Sequence, residues 1–157
     1  MVSSRTAVRA VVLNGDSLLA MQRRKFGDEY YTLVGGGVEP GESLETALRR
    51  ELQEETGLQV GAVRLVYVEA ASQRFGEQYV YLCEYLGGEP ALATDSEEAL
   101  DSAAGQNTYQ PLWLPLAELP RVVFRSNSVR RAVLAGLQHG FPETPQRLAW
   151  EGEDVGQ

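Results

Sequence analysis

Three consecutive glycines, Gly35-Gly36-Gly37, run through Val38-Glu39-Pro40-Gly41-Glu42 into a helix-forming segment, residues 43–56, that closes at Gly57. Ser43 is suited to cap the first turn, Glu45 places negative charge near the positive end of the helix dipole, and Gly57 ends the helix. At about 100° per residue, Leu44, Ala47, Leu48 and Leu52 fall in one arc of roughly 140°, the stripe that must face a core. Glu51 and Glu55 fall inside the same arc and Glu54 lies at its margin, whereas Thr46, Arg49 and Gln53 occupy the opposite face. Carboxylates converging on an apolar face repel one another and cost several kcal/mol each to desolvate unless a cation compensates. Arg50, four residues before Glu54, can orient one of them but not neutralise three. A divalent cation can. With oxygen donors and no His or Cys in place for a softer metal, Mg2+ fits, or Mn2+ in its stead. The glycine run lets the backbone turn sharply and approach such an ion without Cβ obstruction, and offers carbonyls as further ligands.

The flanking chain limits the architecture. Residues 6–13 and 17–22 are apolar runs joined by Asn14-Gly15-Asp16, a hairpin signal. Arg23-Arg24-Lys25 reads as a polar loop, and residues 30–34 as a short strand. After the helix come strand-like runs at 60–71 and 78–86, joined around Gly76. An acidic loop follows at 91–106, with a helical turn expected at 96–100, then a strand at 109–114 and a helix at 126–137. Strands on both sides of one helix, closed by a second helix, predict an α/β layered sandwich with a mixed sheet. The chain of 157 residues is long enough for one sizeable core. It reads as a single domain over 1–141, with 142–157 a loosely ordered extension.

Composition narrows the partners. Fourteen Lys and Arg against 22 Asp and Glu leave a net charge of -8, which disfavours a nucleic-acid polymer as partner because phosphate grip needs clustered cations. Lys25 is the single lysine, so positive charge comes as fork-shaped guanidinium. One cysteine, Cys83, fits a buried apolar position in a reducing, cytoplasmic setting. The apolar stretch at 7–21 is broken by Arg9, Asn14 and Asp16, so no membrane span is expected there.

The segment 36–58 resembles the Nudix box of the Nudix hydrolases, the family of MutT-type nucleotide pyrophosphatases. Gly36, Glu42, Arg50, Glu51, Leu52, Glu54, Glu55, Gly57 and Leu58 fill every defined position of that pattern. Val34 stands before the glycines, where many members have proline, a departure that touches loop rigidity. The resemblance implies the Nudix α/β/α sandwich around a mixed β-sheet. It implies Glu51 and Glu55 as the main metal ligands, Glu54 as a further ligand or a base for water, and the carbonyl of Gly35 in the inner sphere. Glu42 would accept hydrogen bonds or bind a second ion, and Arg50 would hold the carboxylates in register.

The implied reaction is attack of water on a phosphorus of a nucleoside diphosphate derivative. Arg23, with Arg24 beside it, is the candidate phosphate contact. Glu98, among Glu97 and Asp101 in the acidic loop, is the candidate additional acid or base. Asn107, Tyr109 and Trp113 form a polar and aromatic strip that either lines a base pocket or turns its rings to the core; Phe75 and Tyr79 are further rings able to stack. The expected substrate is a small nucleotide, an NTP or dNTP with oxidised forms included, and the protein a monomer or homodimer. Two alternatives stand. An ADP-ribose or sugar-nucleotide pyrophosphatase is disfavoured by the lack of proline between Pro40 and Pro90. A non-catalytic nucleotide sensor is disfavoured by the intact set of box glutamates.

Overall fold

The computed structural model describes residues 6–69, 76–92 and 107–149. The first four strands are β1 (Ala7–Asn14), β2 (Ser17–Lys25), β3 (Asp28–Thr32) and β4 (Val34–Gly37). Helix α1 (Leu44–Glu55) follows, then β5 (Gln59–Glu69), β6 (Gln78–Gly87) and β7 (Asn107–Pro115). A short 3-10 turn precedes β8 (Phe124–Arg125), helix α2 (Asn127–His139) and β9 (Gln146–Leu148).

The β1–β2 turn consists of Gly15 and Asp16, since Asn14 pairs with Ser17. Gly15 supplies the left-handed step at φ 57°, and Asn14 stays in the strand. Beyond this turn β1 and β2 part company. β1 runs parallel to β6 and antiparallel to β4, while β2 pairs antiparallel with β3 and β7. The sheet is therefore mixed, in the order β8-β3-β2-β1-β6-β5-β9, with β4 on β1 and β7 on β2.

Alternation along β1 separates two cores. Val8, Ala10 and Val12 pack with Ala47, Leu48 and Leu52 of α1. Val11 turns the other way, toward Val129 and Val133 of α2 and the fully buried Phe124. A helix on each face of a mixed sheet is the α/β/α sandwich expected from the sequence.

Three expectations are corrected. Arg23-Arg24-Lys25 is not a loop: β2 continues to Lys25, which pairs with both Asp28 and Asn107, because strands on both sides take up its backbone groups. The glycine run is not a free turn but strand β4, laddered on β1 with Val8 opposite Gly36 and Arg9 opposite Gly35. The chain beyond Phe141 is not loose throughout, for Tyr67, Val68 and Glu69 pair in parallel with residues 146–148. Each of these depends on a partner distant in sequence, which local composition does not reveal.

Candidate active site

Helix α1 forms where the sequence places it. The Ser43 hydroxyl accepts from the Thr46 backbone N–H at 3.1 Å. At the other end Gly57, at φ 69°, lets its N–H return to the carbonyls of Leu52 and Gln53. The buried face of the helix comprises Ala47, Leu48, Glu51, Leu52 and Glu55, so two carboxylates lie among the leucines. Glu51 is 8% exposed and Glu55 5%. Glu54, by contrast, retains a side chain that is 42% exposed, in keeping with its place at the margin of the stripe.

The glycines of β4 make room for these acids. A Cβ on Gly36 would lie 2.6 Å from Glu51 Oε1. The backbone N–H of Gly35 donates to Glu55 Oε1 at 3.3 Å. Arg50 ties the remaining groups together. Its Nε and Nη2 donate to the two oxygens of Glu42 at 2.7 and 2.9 Å, a two-pronged pairing. Its Nη1 donates to Glu51 at 3.0 Å and Glu54 at 3.3 Å, and its Nη2 to the Gly37 carbonyl at 3.1 Å. One guanidinium thus donates to three carboxylates, Glu42, Glu51 and Glu54.

The Arg50 hydrogen bonds, joined by the Glu39 backbone N–H, hold the Glu42 carboxyl down at about 2. The same bond to Glu42, reinforced by Glu51, pushes the Arg50 guanidinium further up. Among the described residues, no three acidic, imidazole or thiol side chains are gathered into a ready-made cage for a metal ion. The donor chemistry fits a hard divalent cation nonetheless. All the donors are oxygens, two of the carboxylates are buried, and glycine backbone lies against one of them.

A second group of expected residues assembles on the sheet. Arg23 pairs across strands with both Tyr30 and Tyr109. Its guanidinium lies 3.8 Å from the Tyr109 ring centroid and 5.6 Å from that of Tyr30, and Nη2 donates to Asn107 Oδ1 at 2.8 Å. Arg23, Asn107 and Tyr109 therefore form one unit.

Other expected residues stand apart from it. Arg24 does not join, because strand alternation turns it to the opposite face, where it pairs with Glu29 at 2.7 Å in the open. Trp113 packs against the α1-side core with its ring edge-on to Tyr85 at 5.1 Å. Tyr79 packs there too, its hydroxyl donating to Glu77. Glu97, Glu98, Asp101, the 96–100 turn and Phe75 lie outside the described residues.

Three further residues were not singled out as candidates from the sequence. Tyr30 is buried and carries Arg125 on its ring at 3.9 Å. Arg9 interrupts the apolar run of β1, a signal visible in the sequence but explained only by what surrounds it.

A buried pair of helix carboxylates, an arginine hub and glycine backbone against them lie together in the segment that resembles the Nudix box. A family model described as the NUDIX domain matches residues 3–136, so the chain belongs to the Nudix hydrolase family. Among curated relatives, the NAD-capped RNA hydrolase NudC of Photobacterium profundum is 30% identical over 73% of this chain and 39% of its own. NudC of Salmonella paratyphi C is 35% identical over 70% of this chain and 40% of its own. The chain thus spans about two fifths of the length of the curated relatives it matches. Among solved structures, the study of MutT from Aliivibrio salmonicida and Vibrio cholerae matches with TM-score 0.65 at 21% identity, covering 85% of this chain and 98% of that one. An ADP-ribose pyrophosphatase from Streptococcus suis matches with TM-score 0.64 at 20% identity, covering 92% and 99%. Both likenesses concern the fold. No described helix is long and apolar enough to cross a membrane.

Proposed function

We propose that the chain is a divalent-cation-dependent hydrolase of a small nucleoside diphosphate derivative, an NTP or dNTP first. Glu51 and Glu55 would hold Mg2+, or Mn2+ in its stead, with the Gly35 carbonyl as a further ligand. The observation that carries this reading is the burial of Glu51 and Glu55 on the core face of α1, held against the glycine strand. When bound, a divalent cation acidifies an attacking water and offsets charge on the departing phosphate. Arg50 and Glu42 keep Glu51 and Glu54 in register. Glu54, with the most exposed of the three carboxylates, accepts the proton of the water. Arg23, stiffened by Tyr109 and Asn107, grips a phosphate, and Glu98 is a second candidate base. Positioning and electrostatics carry the rate, as is general for phosphoryl chemistry.

Glu54→Gln tests the reading. It keeps the fold and lowers kcat by about 10²-fold or more, the scale of a lost general base; unchanged turnover overturns the assignment. Glu98→Gln, assayed beside it, assigns the base by whichever variant loses more. Calorimetric titration with Mn2+ separates an enzyme from a sensor domain that lacks a cation site. A second substrate reading, a dinucleotide of the NAD type, is favoured by the identity to relatives named as NAD-capped RNA hydrolases. The net charge of -8 argues against extended contact with an RNA chain. A panel of NTPs, dNTPs, ADP-ribose and NAD, read by phosphate and nucleotide release, decides between these substrates.

A further inference from the structure

Arg9 occupies a position where a strand needs an apolar residue. In β1 its neighbours Val8 and Ala10 pack against α1, so Arg9 points to the α2 side with Val11, half-buried. There its Nε donates to Gln78 Oε1 at 2.9 Å and its Nη1 to the Leu33 carbonyl at 3.0 Å. Gln78 is itself oriented, because its Nε2 donates to Glu69 Oε1 at 2.9 Å, and a carboxylate can only accept. Glu69 is 1% exposed and takes the hydroxyls of Ser126 and Ser128, anchoring it at the N-terminus of α2. A continuous chain therefore runs from α2 through Glu69 and Gln78 to the guanidinium of Arg9, directly across the ladder from Gly35.

This arrangement is unlike that of an arginine kept for structure alone. Such a group at this depth would pair directly with its carboxylate. Here Gln78 stands between Arg9 and Glu69, both hydrogen bonds of Arg9 go to neutral acceptors, and its Nη2 makes none among the described residues. Arg23 is held in the same manner, with Asn107 as its neutral acceptor. Burial holds the Arg9 pKa below its ordinary value, Glu55, Glu51 and Glu69 pull it up and Arg23 pushes it down, so Arg9 lies within the field of the α1 carboxylates and of Arg23. Among the described residues, neither guanidinium donates a hydrogen bond to a carboxylate.

Resting on the hydrolase reading above, we propose that Arg9 is a second anion-binding residue of the site. It takes a substrate phosphate oxygen through Nη2, and Gln78 and Glu69 act as its positioning residues. The fork is required: a lysine ammonium cannot engage Gln78, Leu33 and a phosphate in one plane.

The test uses the full chain with inorganic pyrophosphate in a chelating buffer, followed by calorimetry. The wild-type protein binds. Arg9→Met and Arg9→Lys weaken binding by about tenfold, the scale of one charge-assisted hydrogen bond. Gln78→Leu, which leaves the guanidinium present but unaligned, weakens it by a smaller factor. In steady-state assays on the best substrate of the panel, Arg9→Lys raises KM by about tenfold while kcat stays within threefold, the signature of lost ground-state binding. Arg9→Lys keeps the charge and is expected to melt within a few degrees of the wild type, so its readout stands even where Arg9→Met fails to fold. Glu51→Gln separates this proposal from the hydrolase reading: it loses Mn2+ binding and turnover but retains metal-free pyrophosphate binding. Pyrophosphate affinity unchanged in Arg9→Lys and Gln78→Leu overturns the assignment, as does a kcat loss with KM unmoved.

Discussion

Gly35 and Gly36 are neighbours, yet they are glycines for different reasons. A Cβ on Gly35 would fall 1.9 Å from the Val8 carbonyl oxygen, a backbone atom that cannot yield without opening the β1–β4 ladder. A Cβ on Gly36 would meet first the carboxyl end of Glu51, the far end of a side chain that can swing away. Gly35→Ala is therefore expected to lower the melting temperature sharply. Gly36→Ala is expected to leave melting within a few degrees and reduce kcat/KM by about 10²-fold, the scale of misplacing a catalytic group by an ångström. Melting curves and kinetics on the same two preparations check both.

Glu42 carries a pH prediction. Its carboxyl is held at about 2 in the fold, chiefly by Arg50, against an ordinary value of 4.5. A carboxylate with a depressed folded pKa contributes stability that is complete above 4.5 and drains as pH falls toward 2. Urea unfolding between pH 5 and pH 2 should show a steeper loss for the wild type than for Glu42→Gln; parallel slopes contradict the pairing. Cys83, 3% exposed, has its thiol pushed by burial up to about 12, so it stays protonated and apolar in character.

At the scale of elements, α1 performs two tasks with one face. Leu48 and Leu52 are buried against β1, β2 and β6, while Glu51 and Glu55 emerge from the same stripe at the glycine strand. Leu52→Ala should cost about 3 kcal/mol in urea unfolding, in the range for an aliphatic core truncation. Because Leu52 adjoins Glu51 and Glu55, activity of the folded fraction should fall with it. The helix was legible because its pattern, cap and stop are local: Ser43, the leucine spacing and Gly57 lie within one short stretch. Strand β2 was legible only to Gln22. Its last three residues, Arg23-Arg24-Lys25, look polar on their own and become strand when β3 and β7 flank them. Strand β4 carries no apolar periodicity, and its identity comes wholly from pairing with β1.

For the molecule as a whole, the parting of β1 and β2 after their shared turn sets β3, β7 and β8 on one side and β4, β5, β6 and β9 on the other. The arginine unit on β2 and the carboxylates of α1 thereby belong to separate halves. A cation that binds the folded protein and not the unfolded chain adds stability by mass action, about 2.7 kcal/mol at a hundredfold excess over Kd. Mn2+ should therefore raise the melting temperature of the wild-type protein and leave that of Glu51→Gln unmoved; equal shifts in the two would place the ion elsewhere.

The local pattern, read alone, determined the acidic helix, its burial of Glu51 and Glu55, the first hairpin and the family, because each rests on residues within a few turns of one another. Tertiary structure decided the rest: that Arg24 turns away while Arg23 lies between two tyrosines, and that Arg9 is held by Gln78, itself held by Glu69. Those contacts join residues as many as 84 positions apart, as with Arg23 and Asn107. Short-range periodicity reports which face a side chain takes; strand pairing alone determines what waits on that face.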